Sequence, residues 1–166
     1  MMRWLMAVVV GVAFVCASQV AASAQEGVKE EKIKRETVTM DQVPAPVKDA
    51  ITKEAGANQV KSIALVTKGD QKRYEAEWTA DGKEIEINLD ADGKVTEREV
   101  VVAMDSVPAA VKDAITKEAG ANKVDQVEEV TAGDQKWYEA EWTVNGKAVE
   151  IKVGTDGKVM SKEAEE

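Results

Sequence analysis

The chain has 166 residues, with 31 Asp and Glu against 22 Lys and Arg, a net charge of −9 and no histidine. The acidic balance disfavours nucleic acid and anionic membrane surfaces as partners, because both select basic patches. The missing imidazole removes the commonest general base, and the length allows one ordinary domain or two very small ones.

At the N-terminus Arg3 supplies a positive charge, Leu5 to Val15 is an apolar run, and Ala22-Ser23-Ala24 is a small-x-small cleavage site. Residues 1–24 are therefore expected to be a signal peptide, with the exported chain starting at Gln25 and residing in the periplasm or outside the cell. The run is broken by Ser18 and Gln19, short of the roughly 20 apolar residues a membrane span needs, so no span is expected after cleavage. Cys16 offers lipid attachment as an alternative, although Ala13-Phe14-Val15 lacks the small residue such signals place directly before the cysteine. Cleavage would remove Arg3 and the single cysteine, leaving 21 basic against 31 acidic residues and a charge of about −10. No disulfide, thiol nucleophile or imidazole base would then remain. Residues 25–36, rich in Glu26, Lys29, Glu30, Glu31, Lys32, Lys34 and Arg35, read as a charged, disordered segment.

The rest of the chain repeats itself. Shifted by 64 residues, Met40 to Glu97 aligns with Met104 to Ser161 without a gap, and 38 of the 58 pairs are identical, which means one unit occurs twice. Each unit opens with an amphipathic helix of about three turns. In the first, Asp41 is the expected N-cap, Pro44 falls in the first turn, Val43, Val47, Ala50, Ile51 and Ala55 share a face, and Gly56 stops the helix. Strands are expected at Val60 to Thr67, Arg73 to Thr79 and Lys83 to Leu89, with a fourth from Val95, separated by Gly-Asp, Asp-Gly and Asp-Ala-Asp-Gly turns. Tyr74, Ala76 and Trp78 alternate with Arg73, Glu75 and Glu77, so one sheet face should pack on the helix and the other should meet water.

The fold class that follows is α+β. Two tandem modules, at 37–100 and 101–166, each place a helix on an antiparallel sheet of three to four strands. Units this small sit near the lower limit of independent stability. Glu99 to Met104 is too short and apolar for a flexible linker, so the sheets should be continuous or closely abutted, with both helices on one side.

Val43-Pro44-Ala45-Pro46-Val47-Lys48, Tyr74-Glu75-Ala76-Glu77, Asp81-Gly82-Lys83-Glu84-Ile85-Glu86 and Asp90-Ala91-Asp92-Gly93-Lys94-Val95, each echoed in the second unit, resemble the PepSY-like, beta-lactamase-inhibitor-like modules of exported bacterial proteins. The resemblance covers the chain beyond residue 37. It implies an antiparallel sheet backed by helix, no catalytic residues and no cofactor. It also implies a role as modulator or inhibitor of an envelope protein such as a peptidase or another hydrolase.

Three constellations remain. Asn88, Asp90, Asp92, Gly93, Val95 and Glu99 stand at EF-hand positions, but the flanks read as strands and the second copy has Lys152 and Gly154 at the first and third places, so a hairpin turn is the simpler reading. Divalent-cation or small-ligand binding is kept as the alternative function. Glu75 and Glu77 can face Glu84 and Glu86 across strands, where a solvated acidic face is favoured over a catalytic pair. Trp78 and Trp142 are in phase with Tyr74 and Tyr138 and belong to the core. Trp137 falls on the outward face with Glu139 and Glu141, as a contact between modules or an exposed anchor. The candidate partner-binding residues are Trp137, Glu139, Glu141, Glu75 and Glu77.

Overall fold

The structure, a computed structural model, describes residues 33–164. The expected signal peptide, Cys16 and residues 25–32 lie outside the described residues. In chain order the elements are β1 (Ile33–Thr37), α1 (Ala45–Ala55), β2 (Val60–Lys68), β3 (Gln71–Ala80), β4 (Lys83–Asp90), β5 (Val95–Val101), a short 3-10 turn (Met104–Ser106), α2 (Ala109–Ala119), β6 (Val124–Ala132), β7 (Gln135–Val144), β8 (Lys147–Gly154) and β9 (Val159–Ala164). No helix of the described residues is long and apolar enough to cross a membrane.

All nine strands form one sheet in the order β1 to β9, each antiparallel to the next. This corrects the expectation of two modules, each with its own sheet of three to four strands. The physical reason lies in β5. It pairs with β4 through Ile85↔Val100 and Glu86↔Glu99, and with β6 through Glu99↔Val130 and Val100↔Glu129. The 64-residue shift carries the β1–β2 pair Arg35↔Val66 onto the β5–β6 pair Glu99↔Val130. One strand therefore closes the first repeat and opens the second, and neither repeat owns a separate sheet. The true opening strand of the first repeat is β1, whose sequence Ile33-Lys34-Arg35-Glu36-Thr37 includes the last four residues of the charged segment. An edge strand exposed along most of its length carries charges that discourage further pairing, and so shows no apolar alternation.

Each helix starts later than its expected cap. Pro44 and Pro108 stand at the N-cap without a side-chain hydrogen bond, and Asp41 instead pairs with Lys48 Nζ at 2.9 Å. Thr39 and Gln42 close the preceding turn, which draws Asp41 outward. The apolar spacing gives the helix its buried face: Val43, Val47, Ile51 and Ala55 recur every four residues and are all buried. They pack with Ile63, Tyr74, Ala76, Trp78, Ile85, Ile87 and Leu89, and the second repeat rebuilds this cluster with Val107, Val111, Ile115, Trp142 and their neighbours. Trp78 and Trp142 are each only 1 % exposed. The β4–β5 turn is clamped to the helix start, since a Cβ on Gly93 would stand 2.4 Å from the Pro46 carbonyl oxygen. Gly157 repeats this against Ala110 at 2.6 Å, so both turns require glycine.

Register places both helices on one side. Tyr74 faces Leu89, Val100 faces Glu129 and Glu129 faces Tyr138, so the residues under α1 and α2 share a face. Among the described residues no helix lies on the opposite face.

The helix-free face as candidate functional site

Alternation along β3, β4, β5, β7 and β8 sends Glu75, Glu77, Glu84, Glu86, Glu97, Glu99, Glu139, Glu141 and Glu150 to the helix-free face. One cross-strand row runs Ser62, Glu77, Glu86, Glu99, Val130, Trp137 from β2 to β7. Adjacent strands stand about 4.8 Å apart, so like charges directly opposite one another oppose folding. The cations of this face lie to either side of the row's centre. Arg35 and Arg73 both pair with Glu75, the latter at 2.9 Å. Lys61 reaches Glu84 at 3.5 Å and Glu77 at 3.9 Å, and Lys152 pairs with Glu139 at 2.8 Å.

Between these groups stand Glu86, Glu99 and Glu128, which no ion pair reaches among the described residues. Asn88 Nδ2 donates to Glu99 at 3.2 Å and Gln126 Nε2 donates to Glu128 at 2.8 Å. Loss of water, reinforced by neighbouring carboxylates, pushes Glu99 up to about 9 and Glu86 to about 7. Glu128 is raised to about 7 mainly by burial, against its hydrogen bond from Gln126. Burial first, and Glu139 second, raises Glu150 to about 8 and lifts Glu97 as well. Groups this close titrate as a set.

All five candidate residues from the sequence fall on this face, in two groups. Glu75 with Glu77 belongs to the first repeat, and Trp137 with Glu139 and Glu141 to the second. The face is less solvated than the alternation implied, for Glu75 is 4 % and Glu139 6 % exposed. The guanidinium groups of Arg35 and Arg73 hold Glu75, and the Trp137 indole N–H holds Glu139. Trp137 is half-buried: its Nε1 donates to Glu139 at 2.8 Å, Lys152 Nζ lies 5.7 Å from its ring, and Val130 is its opposite neighbour on β6. Alternation along the third strand signal already set Glu84, Glu86 and Asn88 on the outward face, but sequence reasoning missed Glu99, Glu128 and Lys152 as members of it. The signal was the 64-residue shift itself, which superimposes Asn88 on Lys152 and Arg35 on Glu99 once β1 is known to be a strand.

The EF-hand-like residues do not converge. Asp90 Oδ1 accepts the backbone N–H groups of Asp92 and Lys94, which closes a hairpin turn, while Asn88 and Glu99 point to the helix-free face. Among the described residues no cluster of histidine, cysteine, aspartate and glutamate is arranged to hold a metal ion.

Fold and face together define a tandem-repeat α+β protein with helices on one side of a single sheet and a charged face on the other. The chain belongs to the family described as "Putative beta-lactamase-inhibitor-like, PepSY-like", which matches it twice, over residues 25–97 and 72–161. The two matches overlap across β3 to β5, in keeping with repeats that share a strand. A Bacteroides eggerthii protein described as one of several "putative periplasmic proteins" is similar in fold, with a TM-score of 0.62, 20 % identity, and coverage of 74 % of this chain and 88 % of the other. A DUF2874 family protein from Bacteroides uniformis gives 0.61, 20 %, 74 % and 89 % in the same order. A BLIP-like protein from Bacteroides fragilis gives 0.57, 21 %, 74 % and 86 %. No curated protein sequence matches the chain.

Proposed function

We propose that this chain is an exported, non-catalytic binding protein that engages another protein of the cell envelope through the helix-free face of its sheet, as modulator or inhibitor of a peptidase or other hydrolase. The observation that carries the reading is the central group of carboxylates on that face, held away from water and without cations of their own beside a half-buried tryptophan. A stable fold gains nothing from such an arrangement, since like charges opposite one another and desolvated carboxylates both oppose folding. A partner bringing positive charge would relieve both costs. Family membership supports the reading, and so does the periplasmic description of one of its structural neighbours. The absence of histidine from the whole sequence, with its single cysteine in the expected signal peptide, supports a non-catalytic role.

The test is capture from envelope extract by the exported chain, set beside its Trp137→Ala variant. A specific envelope protein retained by the parent and lost or weakened with the variant supports the proposal. Retention of no specific protein overturns it.

A further inference from the structure

We propose that Glu86, Glu99 and Asn88, with Glu128 beside them, form a receptor for a basic side chain, lysine or arginine, presented by an extended segment of the partner protein. This rests on the binding role above and names the chemistry of the contact.

The first observation is an unfilled acceptor. Asn88 is 5 % exposed, its Nδ2 is committed to Glu99, and its Oδ1 has no hydrogen-bond partner. A buried amide oxygen left without a donor loses its hydration with nothing in return, so its position among carboxylates asks for a donor from outside. The strand is irregular at this point, with a register shift between Asn88 and Leu89, and bulges of this kind commonly re-aim side chains at functional sites.

The second observation comes from the molecule's own duplication. The 64-residue shift puts Lys152 where Asn88 stands and Glu150 where Glu86 stands, and the register irregularity recurs between Lys152 and Val153. There the chain supplies its own ammonium, bonded to Glu139 and facing Glu150 and Glu97. The second repeat thus shows that this fold position accommodates a cation among carboxylates. In the first repeat Arg35 and Arg73 are spent on Glu75, and Lys61 lies at the β2 side on Glu77 and Glu84. None of them reaches Glu86, Glu99 or Glu128.

Filling the site would also move protons. With Glu99 raised to about 9 and Glu86 and Glu128 to about 7, the group carries protons at neutral pH. An incoming cation favours the ionised forms and expels them. Glu75, Glu77, Glu84, Glu97, Glu139 and Glu141 face the same centre and favour the protonated forms, and Arg35 opposes them at Glu86.

The experiment is calorimetric titration of the exported chain with a ten-residue Lys/Gly peptide, its Arg/Gly counterpart and a Glu/Gly control, each in two buffers of different ionisation enthalpy. The expected result is binding of at least one basic peptide with release of about one proton, an affinity that rises from pH 6 to pH 9, and a loss of tenfold or more in Glu86→Gln/Glu99→Gln. The charge-matched control Asp49→Asn/Asp113→Asn, on exposed helix positions, should stay within about twofold. Equal losses in both double variants would mean generic attraction to an acidic chain and would overturn the inference, as would binding without proton release or no binding of either basic peptide. Thermal melting at pH 9 confirms that Glu86→Gln/Glu99→Gln is folded, since replacing carboxyls that resist ionisation in the folded chain should stabilise it there. If envelope capture proceeds unchanged with this variant, the receptor is disproved while the binding role stands.

Discussion

Glu75 and Glu139 occupy the same place in two copies of one fold, yet they are held by different means. Glu75 is gripped by two guanidinium groups, from Arg35 and Arg73, whereas Glu139 takes an indole N–H and an ammonium from Trp137 and Lys152. Beneath the helices the copies hardly differ. Val43, Val47, Ile51, Ala55, Tyr74, Ala76 and Trp78 recur unchanged as Val107, Val111, Ile115, Ala119, Tyr138, Ala140 and Trp142. On the helix-free face Arg73 becomes Trp137, Asn88 becomes Lys152, Ala64 becomes Glu128 and Ser62 becomes Gln126. The packed side changes only by trimming Ile63, Ile85 and Leu89 to Val127, Val149 and Val153, because a close-packed core tolerates few shape changes. The open side has been rebuilt.

The largest test of this comparison is to separate the copies. Since β5 serves both, only one can keep it. A chain ending at Ala103 retains β1 to β5 and α1 but exposes the β5 edge, and should be partly unfolded or self-associating. A chain starting at Val102 lacks its opening strand and should be unfolded. Extending that second fragment back to Val95 restores β5 and should bring it to the same state as the first, partly folded and self-associating through its bare β5 edge. Circular dichroism and size-exclusion chromatography read all three. A chain starting at Val102 that melts at the full chain's midpoint would show that the shared strand is dispensable.

Next in size are the paired core residues. Trp78→Ala and Trp142→Ala should each cost about 3 to 5 kcal/mol, the range for removing a large buried aromatic, and should agree within about 1 kcal/mol if the two cores are equivalent. Denaturant midpoints measure both. A clear inequality would trace to the core positions that differ, Ile63, Ile85 and Leu89 against Val127, Val149 and Val153.

Much of this fold could be read from the sequence, for identifiable reasons. The helix and the strands Gln71–Ala80 and Lys83–Asp90 are strongly periodic, and their turns carry Asp-Gly or Asn-Gly. What was not legible was the shared role of β5 and the existence of β1. Ile33-Lys34-Arg35-Glu36-Thr37 pairs only with β2 and buries no side chain fully, so nothing in its composition separates it from a charged tail. The two-module picture followed from that omission. The candidate site was half legible: alternation assigned Glu75, Glu77, Trp137, Glu139 and Glu141 to one face, but the meeting of Glu86 with Glu99 depends on a β4–β5 register displaced by a bulge.

The carboxylates of that face predict a pH dependence opposite to ordinary acid denaturation. A carboxyl whose pKa is raised on folding contributes stability that is fully present below its unfolded value near 4.5 and is lost as pH rises through its folded value. For Glu86, Glu128, Glu150 and Glu99 the loss sets in above about 4.5 and is complete only at the folded values of about 7 to about 9. The melting midpoint should therefore fall between pH 6 and pH 9.5. Glu99→Gln should flatten the fall and stabilise the chain at pH 9 by about 1 to 3 kcal/mol, less than an isolated group would give because its neighbours take up part of the titration. A midpoint independent of pH in this range, in parent and variant alike, would show that these carboxylates remain hydrated.

The smallest effect bears most directly on whether the second repeat's tryptophan packs or binds. Trp137 stands where the first repeat has Arg73, and both donate to the buried glutamate of their strand. The indole also stacks near Lys152 and covers Val130, which is fully buried although no helix lies above it. Trp137→Phe keeps the ring over Val130 and beside Lys152 but removes the N–H, so it should cost only about 1 kcal/mol, the net worth of one hydrogen bond, with Lys152 still neutralising Glu139. Trp137→Ala also strips the ring from Val130 and should cost more, yet less than Trp142→Ala, because one side of the indole is already wet. Urea unfolding of the three variants gives the order. If Trp137→Ala matches Trp142→Ala, the residue is core by another name and the face loses its aromatic anchor. If Trp137→Phe is silent in stability while weakening envelope capture, the indole N–H and its exposed edge belong to the partner.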